Sequence, residues 1–379
     1  MRIGIDCRLL TKRRGIGNYV YNLLSNLVKL SGDEEYILYV DSEDALKDVP
    51  VNPRLVTRVL KPKFEPLWEQ ICLPLAVAHD RPDVLHCIAN TAPIFLPVKV
   101  KLVMTIHDVM YMLPRNIYPE SPSQRQRWGR RYSSIIVPRA ARRAAHIITV
   151  SGFSRRDIIE RLGIENTRIS VVSEAPGNIF RGYGESFNYE RLRLLYSLGT
   201  EYIIALGAVD PRKNIARLIQ AFAMFRRRKS LGHQLVICGL NSNARQWCLR
   251  LAKEAGVVDQ VRLLGFVTEV ELAMLYKHAK FMVYPSLYEG FGLPVLESMA
   301  SGTAVITSET TSLPEVAGDA AYLIDPTSID DLEAAMLRLV DDEALRQKLV
   351  TRGLKRAAEF SWSKCAQETL NVYREVGRA

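Results

Sequence analysis

Two glutamates that flank a glycine turn are the residues of this chain best suited to chemistry. Glu289 stands before the turn and Glu297 after it, within the stretch from Ser286 to Glu297, and Gly290 and Gly292 lie between them. Glycines here let the backbone turn sharply and let a ligand approach the main chain. The N–H groups of a following helix would carry partial positive charge, which favours a phosphate. A plain strand-turn-helix connection with solvated carboxylates has the same spacing, and the stretch alone leaves both interpretations open.

The flanking sequence supplies the elements that would position these glutamates. The apolar run from Phe281 to Pro285 predicts a buried parallel strand. The segment from Leu293 to Ala300 predicts a helix with Pro294 in its first turn, where the missing N–H is harmless. Glu297 would then lie one turn into the helix, where it could accept hydrogen bonds from a sugar attached to the phosphate.

A second anion-binding candidate is the segment from Asp210 to Asn214. It follows the first predicted strand of the second half, so Arg212 and Lys213 would lie at the carboxyl end of that strand. Two fixed cations there could neutralise a leaving diphosphate. As a bare motif, an ordinary surface turn explains the segment equally well.

The first half offers a glycine turn and a histidine. Gly15 and Gly17 follow the first strand and open the first helix, an arrangement that can hold a phosphate, and Arg13 and Arg14 precede them. His107 ends an apolar strand, at the edge of the sheet where ligand-binding residues fall. A tight packing turn and a structural histidine are the alternatives. The chain has no Asp-x-Asp pair, Walker motif or Gly-x-Ser-x-Gly elbow, which disfavours a metal-bridged diphosphate and a serine nucleophile.

Composition predicts a folded two-domain protein. The chain has 379 residues, of which 48% are hydrophobic and 24% charged, and its mean hydropathy is −0.02. This length exceeds one ordinary core, and the balance excludes disorder and a membrane bundle. The start lacks the apolar core of a signal peptide, so we expect a cytoplasmic protein. The six cysteines show no paired spacing, and we expect neither disulfides nor structural zinc.

The formal charge of +10 is concentrated in one segment. Between Arg115 and Arg143 the sequence contains eight arginines and the single acid Glu120, with Trp128 and other apolar residues interleaved. Such a segment could contact an anionic membrane peripherally or hold an acidic substrate, and a solvated helix face that covers the core is the structural alternative. A nucleic-acid-binding module is a third interpretation of the charge, but it leaves the glycine turns and paired glutamates unexplained, and we expect no nucleic acid partner.

Strand and helix patterns alternate along both halves of the chain. Several predicted strands are apolar throughout, which is typical of doubly wound parallel sheets in an α/β protein. The alternation breaks in a polar stretch with prolines and glycines. We therefore predict an N-terminal domain at 1–173, a hinge region at 174–200, a C-terminal domain at 201–358 and a final helical segment at 359–379.

The stretch from Glu289 to Glu297 resembles the Glu-x7-Glu motif of the family 4 retaining glycosyltransferases, and nearly the whole chain is similar to the mannosyltransferase-B-like subgroup. Motifs typical of the family occur in its order at Arg14 to Tyr19, Thr105 to Asp108, Ile148 to Ser151, Asp210 to Asn214, Gly265 to Val267, Ser312 to Asp319 and Phe360 to Trp362. The resemblance implies a GT-B fold, in which two Rossmann-like domains face each other across a cleft, and a final helix that packs on the N-terminal domain. It also implies transfer of a hexose from a nucleotide sugar with retained configuration and without a metal or other cofactor.

The resemblance also implies roles by position. Glu297 would hold the ribose, Glu289 the hydroxyls of the donor sugar, Lys213 the diphosphate, and His107 the sugar near the reacting centre. The other implied donor-binding positions are Gly15, Gly17, Gly265, Phe266, Val267, Gly290, Phe291, Gly292 and Leu293. Many members carry an arginine where this chain reads Gly207-Ala208-Val209. The second cation would then be Arg212 or come from elsewhere, or Lys213 would act mainly alone.

The leading hypothesis is a mannosyltransferase that uses GDP-mannose and a glycan or lipid-linked acceptor in cell-surface polysaccharide synthesis. A donor of the UDP-glucose or GDP-rhamnose type, and a nucleotide-sugar hydrolase or epimerase on the same fold, are the alternatives. The oligomeric state is left open by the sequence.

Overall fold

The chain forms two compact units in a computed structural model. The structure describes residues 1–11, 15–30, 32–46, 49, 52–62, 64–114, 124–182, 188–208, 210–228 and 232–378. The first unit comprises the described residues of Met1–Leu113, Glu120–Glu174 and Ser361–Ala379, and the second comprises Pro114 and the described residues of Ala175–Phe360. Among the described residues, no helix combines the length and apolar character needed to cross a membrane.

The first unit is built on a parallel sheet of seven strands in the order β3-β2-β1-β4-β5-β6-β7. The strands are β1 (Arg2–Asp6), β2 (Glu35–Val40), β3 (Leu55–Val59), β4 (Val84–Cys87), β5 (Lys101–Thr105), β6 (His146–Thr149) and β7 (Ile169–Val171). Every residue of β4 and β6 is buried. Burial on both faces explains why these strands are rich in apolar residues, as expected when helices cover a parallel sheet.

Among the described residues, five α-helices of this unit lie before Ala175. They are α1 (Ile16–Leu27), α2 (Glu65–Leu67), α3 (Leu73–Asp80), α4 (Gln124–Arg143) and α5 (Gly152–Leu162), with a π-helical turn at Trp68–Cys72 between α2 and α3. The cap of α5 has the predicted chemistry, because the Ser151 side chain accepts a hydrogen bond from the N–H of Ser154. Gly163 ends that helix in the left-handed region at φ 66°.

The second unit has a six-stranded parallel sheet in the order β10-β9-β8-β11-β12-β13. Its strands are β8 (Tyr202–Leu206), β9 (Gln234–Cys238), β10 (Val261–Leu263), β11 (Phe281–Tyr284), β12 (Val305–Ser308) and β13 (Tyr322–Ile324). Its helices are α6 (Tyr189–Leu195), α7 (Ile215–Arg228), α8 (Ser242–Glu254), α9 (Glu269–His278), α10 (Leu293–Ala300), α11 (Leu313–Ala317), α12 (Ile329–Asp341) and α13 (Glu343–Ala358). The doubly wound parallel sheets predicted from the sequence are confirmed in both units.

The last helix, α14 (Trp362–Arg378), belongs to the first unit, where it packs against α1. Its buried Tyr373 places a hydroxyl 2.6 Å from Nδ1 of His86 on β4. Arg374 donates from Nε to Glu34 at 2.7 Å. The amphipathic periodicity of α14 therefore buries one face against the N-terminal sheet elements. All six cysteines lie among the described residues, and none of them is paired.

Candidate functional site

The strongest constellation lies at the carboxyl ends of β8 and β11 in the second unit. Lys213 follows β8 in a short 3₁₀ turn, and its Nζ lies 2.6 Å from Oε1 of Glu289. Glu289 follows β11 and stands directly before the glycine turn. Because the two strands are hydrogen-bonded neighbours in a parallel sheet, their ends bring together residues 76 positions apart.

Two hydroxyl groups complete the surroundings of the Glu289 carboxylate. Tyr284 donates to Oε1 of Glu289 at 2.8 Å and accepts a hydrogen bond from Lys213. The Ser286 hydroxyl lies 2.6 Å from the same carboxylate oxygen. Burial alone would raise the pKa of Glu289, but the charges of Lys213 and Arg212 and the hydrogen bonds from Lys213 and Ser286 outweigh it and hold the pKa below its usual value. The carboxylate is therefore kept ionised as an acceptor.

Burial also raises the pKa of Tyr284 well above its ordinary value, and the neighbouring Glu289 charge adds to this effect. The phenol accordingly stays protonated and acts as a donor. Tyr284 and Ser286 were not predicted as site residues. Their positions at the end of an apolar strand were the available signal, because polar side chains at that point face the ligand edge of the sheet.

The glycine turn has a backbone that only glycine adopts without strain. Gly292, the N-cap residue of α10, has φ 115°, and a Cβ built on it would lie 2.6 Å from Cδ2 of the buried Leu313. The Ser312 hydroxyl lies 2.9 Å from the carbonyl oxygen of Glu289 and 2.6 Å from that of Phe291. The turn is therefore held rigidly against the start of α11, with the first N–H groups of α10 following it.

The remaining predicted residues of this stretch lie in the turn and on α10. Gly290 and Phe291 are buried, Leu293 is the first residue of the helix, and Glu297 is half-buried one turn further on. Leu293 also precedes Pro294, which has no N–H and occupies the first turn as predicted. The glycine turn therefore leads directly into α10, and this short helix carries Glu297.

Arg212 is engaged differently from its neighbour Lys213. Its guanidinium forms a two-point ion pair with Asp210, at 3.1 Å from Nε to Oδ1 and 2.6 Å from Nη2 to Oδ2, and the side chain is buried. Nη1 donates to the carbonyl oxygen of Tyr288 at 3.3 Å. Each cation is paired with one carboxylate, but the Arg212 side chain is 10% exposed and that of Lys213 is 22% exposed, so Lys213 is the more accessible to a diphosphate. Ala208 is described, whereas Val209 lies outside the described residues.

The segment Gly265 to Val267 follows β10 at the edge of the same sheet. The carbonyl oxygen of Gly265 accepts a hydrogen bond from Gly239 at 3.0 Å, and Phe266 is exposed. A cavity of about 590 Å³ extends along β10 and α8 and includes Gly265 in its lining. Lys213, Glu289 and Glu297 do not line that cavity, which therefore is not the constellation described above.

In the first unit the predicted residues cluster around His107. Gly15 precedes α1 with φ 49°, and Gly17 is buried in the first turn of that helix. Two residues later the Tyr19 ring meets the His107 ring edge-on, with centroids 4.8 Å apart. The structure therefore brings Gly15, Gly17 and His107 to one end of this unit. Arg13 and Arg14 lie outside the described residues.

His107 is held on several sides. Nδ1 lies 3.0 Å from Oε1 of Glu174, and Nε2 lies 3.2 Å from the carbonyl oxygen of Ile88. Its backbone N–H donates to Oδ1 of Asn90 at 2.7 Å. The sequence alone did not connect Glu174 with His107. Both follow strands of one parallel sheet, β7 and β5, so their approach is a consequence of the topology.

Among the described residues, no three histidine, cysteine, aspartate or glutamate side chains cluster as they would around a metal ion.

Comparisons with known proteins supply the identity of the fold and the family. Residues 193–356 match the family model described as Glycosyl transferases group 1, and residues 13–175 match the one described as Glycosyltransferase Family 4. The chain is 33% identical over 284 residues to O-antigen chain mannosyltransferase B of Escherichia coli, covering 74% of this chain and 72% of that relative. The chain belongs to glycosyltransferase family 4.

This family 4 glycosyltransferase is also similar to a further relative and to solved structures of other proteins. The serotype-specific mannosyltransferase WbdA of Escherichia coli is 30% identical over 321 residues, which are 81% of this chain and 38% of that longer protein. Sucrose-phosphate synthase from Thermosynechococcus elongatus has a TM-score of 0.75 at 19% identity and covers 99% of both chains. Anabaena HepE in complex with UDP-glucose has a TM-score of 0.74 at 15% identity and covers 99% of this chain and 100% of its own. The fold is GT-B, as the resemblance implied.

Proposed function

We propose that this family 4 glycosyltransferase transfers mannose from GDP-mannose to a glycan or lipid-linked acceptor in cell-surface polysaccharide synthesis. The support for mannose is the names of the relatives, which include two Escherichia coli mannosyltransferases and an MMP alpha-(1->4)-mannosyltransferase that is 34% identical over 63% of this chain. The single observation that carries the chemistry is the half-buried Lys213–Glu289 pair beside a helix N-terminus at the strand ends.

The proposed reaction retains the anomeric configuration and uses no metal. The acceptor hydroxyl attacks the anomeric carbon from the face that the diphosphate leaves. The bond from that carbon to the diphosphate oxygen breaks, its electron pair departs with the diphosphate, and the departing phosphate takes the acceptor proton. Lys213 and the N–H groups at the start of α10 stabilise the charge that develops on the leaving group, which is where a transferase gains rate. Arg212 contributes less, because its side chain is more buried than that of Lys213.

The donor-binding roles follow the family pattern residue by residue. Glu297 accepts hydrogen bonds from the ribose, and Glu289 accepts them from hydroxyls of the transferred sugar. The main chain from Gly290 to Leu293 binds sugar and phosphate, and Gly265 to Val267 line the base pocket. In the first unit, His107 contacts the donor sugar, and Gly15 and Gly17 let the backbone approach the diphosphate.

A ligand screen tests the donor. Thermal unfolding is recorded with GDP, UDP and ADP and with their common sugars, each far above its dissociation constant, because a ligand that binds only the folded state raises the midpoint. We expect GDP and GDP-mannose to give the largest shift. An equal or larger shift with UDP-glucose would reject mannose as the transferred sugar.

Product analysis tests the reaction class. Proton NMR of the product should show the anomeric configuration of the donor, turnover should survive EDTA, and donor alone should be consumed slowly. Consumption of donor at the full rate without acceptor would indicate the hydrolase or epimerase alternative instead.

We further propose that the protein works in the cytoplasm at the inner face of the cell membrane, where a lipid-linked acceptor is presented. The support is the arginine-rich helix α4, which carries several exposed arginines.

A further inference from the structure

The outward face of α4 combines arginines with exposed apolar side chains in one stripe. Trp128 is 72% exposed and Ile135 is 52% exposed, although both are large and apolar. They are seven residues apart and therefore lie on the same face of the helix. The exposed arginines of that face are Arg127, Arg131, Arg139 and Arg142. At 1.5 Å per residue, the stripe from Trp128 to Arg142 is about 21 Å long.

A neighbouring loop extends the stripe. Arg143 donates from its two terminal nitrogens to the carbonyl oxygens of Ile94 at 2.8 Å and Leu96 at 2.7 Å. This contact ties the loop between β4 and β5 to the end of α4. Phe95, between the two anchored residues, is 80% exposed, and Val98 is 97% exposed. Two further apolar side chains thus stand in solvent beside the arginine stripe.

A third segment joins the same surface. Gln70, in the π-helical turn before α3, binds the Tyr132 hydroxyl of α4 at 3.0 Å and the N–H of Ile94 in the loop at 3.0 Å. Ile71 follows it, Leu75 lies four residues further along, and both are exposed. We call the whole patch the basic-apolar surface; its members are Ile71, Leu75, Phe95, Val98, Arg127, Trp128, Arg131, Ile135, Arg139 and Arg142.

The charge of this surface has one sign. The sequence from 92 to 101 and from 124 to 143 contains no acidic residue. Two arginines that the sequence suggested for membrane contact serve another purpose, since Arg143 holds the loop and Arg130 donates to the carbonyl oxygens of Tyr111 and Leu113. Arg115 lies outside the described residues. The side chain of Arg125 lies outside them as well. Among the described side chains of this segment, the arginines available to a partner are therefore those of the outward stripe.

We infer that the basic-apolar surface docks on an anionic lipid bilayer, with its apolar side chains inserted among the headgroups and its arginines bound to lipid phosphates. The inference deepens the proposed membrane contact and rests on the proposed function only for the lipid-linked acceptor. Exposed Trp, Phe and Leu among arginines match the interface between headgroups and acyl chains. A symmetric dimer through this face would place arginine rows opposite each other, which like-charge repulsion disfavours.

Sedimentation with sucrose-loaded vesicles tests the inference in the full-length protein. Vesicles of phosphatidylglycerol and phosphatidylcholine are compared with vesicles of phosphatidylcholine alone. One variant carries Arg127→Gln, Arg131→Gln and Arg142→Gln, and its matched control carries the same change at the exposed second-unit arginines Arg191, Arg227 and Arg250. A second variant carries Trp128→Ser and Ile135→Ser, and its matched control carries Leu194→Ser and Leu195→Ser, which are also exposed.

We expect binding to the anionic vesicles only. The arginine variant should lose about 100-fold in partition coefficient, at about fivefold for each arginine removed near an anionic surface. The apolar variant should lose about tenfold or more, and this loss should persist at high salt, where charge attraction is screened but apolar insertion is not. Both controls should bind within about twofold of the wild type, since their sites lie outside the proposed surface.

Tryptophan emission gives an independent readout. Trp128 is exposed, whereas Trp68 and Trp362 are buried, so insertion should shift the emission to the blue and Trp128→Phe should remove the shift. Absence of wild-type binding, equal losses in the controls, or an unshifted emission would each overturn the inference. A dimer in sedimentation velocity that the same variants dissociate would also overturn it, because a second copy would then cover the surface. Turnover with a water-soluble acceptor should be unchanged in both variants, so its loss in all proteins would reject the proposed function alone.

Discussion

The Lys213–Glu289 pair allows a quantitative test through a double-mutant cycle. Lys213→Met removes the cation and leaves the carboxylate with the Tyr284 and Ser286 hydroxyls and the more distant charge of Arg212. Removing one partner of a buried pair costs about 3–5 kcal/mol, and we expect about 3 kcal/mol because the side chains keep 22% and 13% exposure. Glu289→Gln removes the charge but keeps an amide, at about 2 kcal/mol. The double variant leaves no unpaired charge, so we expect a coupling of about 3 kcal/mol.

The pH dependence of the stability of the same variants gives a second test. In the wild type the pKa of Glu289 is depressed, so its contribution to stability is present above about pH 4.3 and is lost as the pH falls through the lower folded pKa. Without Lys213, burial should dominate and raise that pKa. The folded variant would then bind a proton that the unfolded chain releases. Its stability deficit should therefore narrow as the pH falls from 7 towards 4.3.

The two units must be followed separately, because one unfolding transition cannot be assumed for a chain with two compact units. Trp247 lies in the second unit, and Trp68, Trp128 and Trp362 lie in the first. Urea unfolding of 5-fluorotryptophan-labelled protein, observed by fluorine NMR, reports each unit by its own resonances. The Trp247 transition should shift and the other three should not. If the losses in free energy of unfolding of the two single variants add up to that of the double variant within about 0.5 kcal/mol, the coupling between Lys213 and Glu289 is refuted. A stability deficit of Lys213→Met that does not change with pH would refute it as well.

Three further changes have defined outcomes. Gly292→Ala should destabilise the second unit by about 2–4 kcal/mol in the Trp247 transition, because φ 115° is strained for alanine and Leu313 must move; a loss below about 1 kcal/mol would contradict the tight turn. Glu297→Ala should weaken GDP binding by about 10-fold to 100-fold in calorimetry while turnover at saturation changes less, and unchanged affinity would remove its ribose role. Burial lowers the pKa of His86 to about 3, so between pH 6.5 and 3 only the unfolded chain takes up a proton at this residue. The wild type should therefore lose about 1.4 kcal/mol of stability for each unit by which the pH falls in this range. Urea titrations of His86→Gln should lack that part of the dependence of stability on pH, and an equal dependence would contradict the prediction.

Sequence patterns predicted the regular elements closely. The sequence predicts strands at Tyr202–Leu206 and Gln234–Cys238 and a helix at Glu269–His278, and all three have these bounds in the structure. Short apolar runs between polar turns have one interpretation in an α/β chain, and the capping box of Thr268 sets the start of the helix. The sequence predicts that the first helix begins at Tyr19. It begins three residues earlier, at Ile16, because the glycine before it supplies the turn into the helix.

Some features of the fold have no local signature. The π-helical turn at Trp68–Cys72 lies inside a segment whose periodicity predicts only a helix. It buries Glu69, which forms an ion pair with Arg8 at 2.5 Å and accepts a hydrogen bond from Tyr132 at 2.6 Å. These partners are far apart in the sequence, so the shift that aims Glu69 inward depends on tertiary contacts.

The sequence predicted the positions of the candidate site residues at the strand ends, but it did not predict which side chains pair there. Strand ends predicted where Lys213, Glu289 and His107 would lie, since the topology of a parallel sheet assigns ligand residues to one edge. Which side chains pair there depends on distances of a few ångströms that a pattern does not contain. Arg212 and Lys213 are adjacent and both cationic, yet one is bound by Asp210 and the other by Glu289.

The arginine-rich helix shows the same limit from the opposite direction. The number of arginines in the sequence marked the whole segment as basic. A helix distributes neighbouring residues around its axis, so Arg130 and Arg131 have different surroundings. Arg130 reaches inward to backbone carbonyl oxygens, whereas Arg131 is exposed beside Trp128. Only a known helix register separates the two roles, since 3.6 residues per turn place positions one apart about 100° from each other. A count of charges therefore marks a segment as a candidate for membrane binding. The register of the helix decides which arginines a test of that surface must remove.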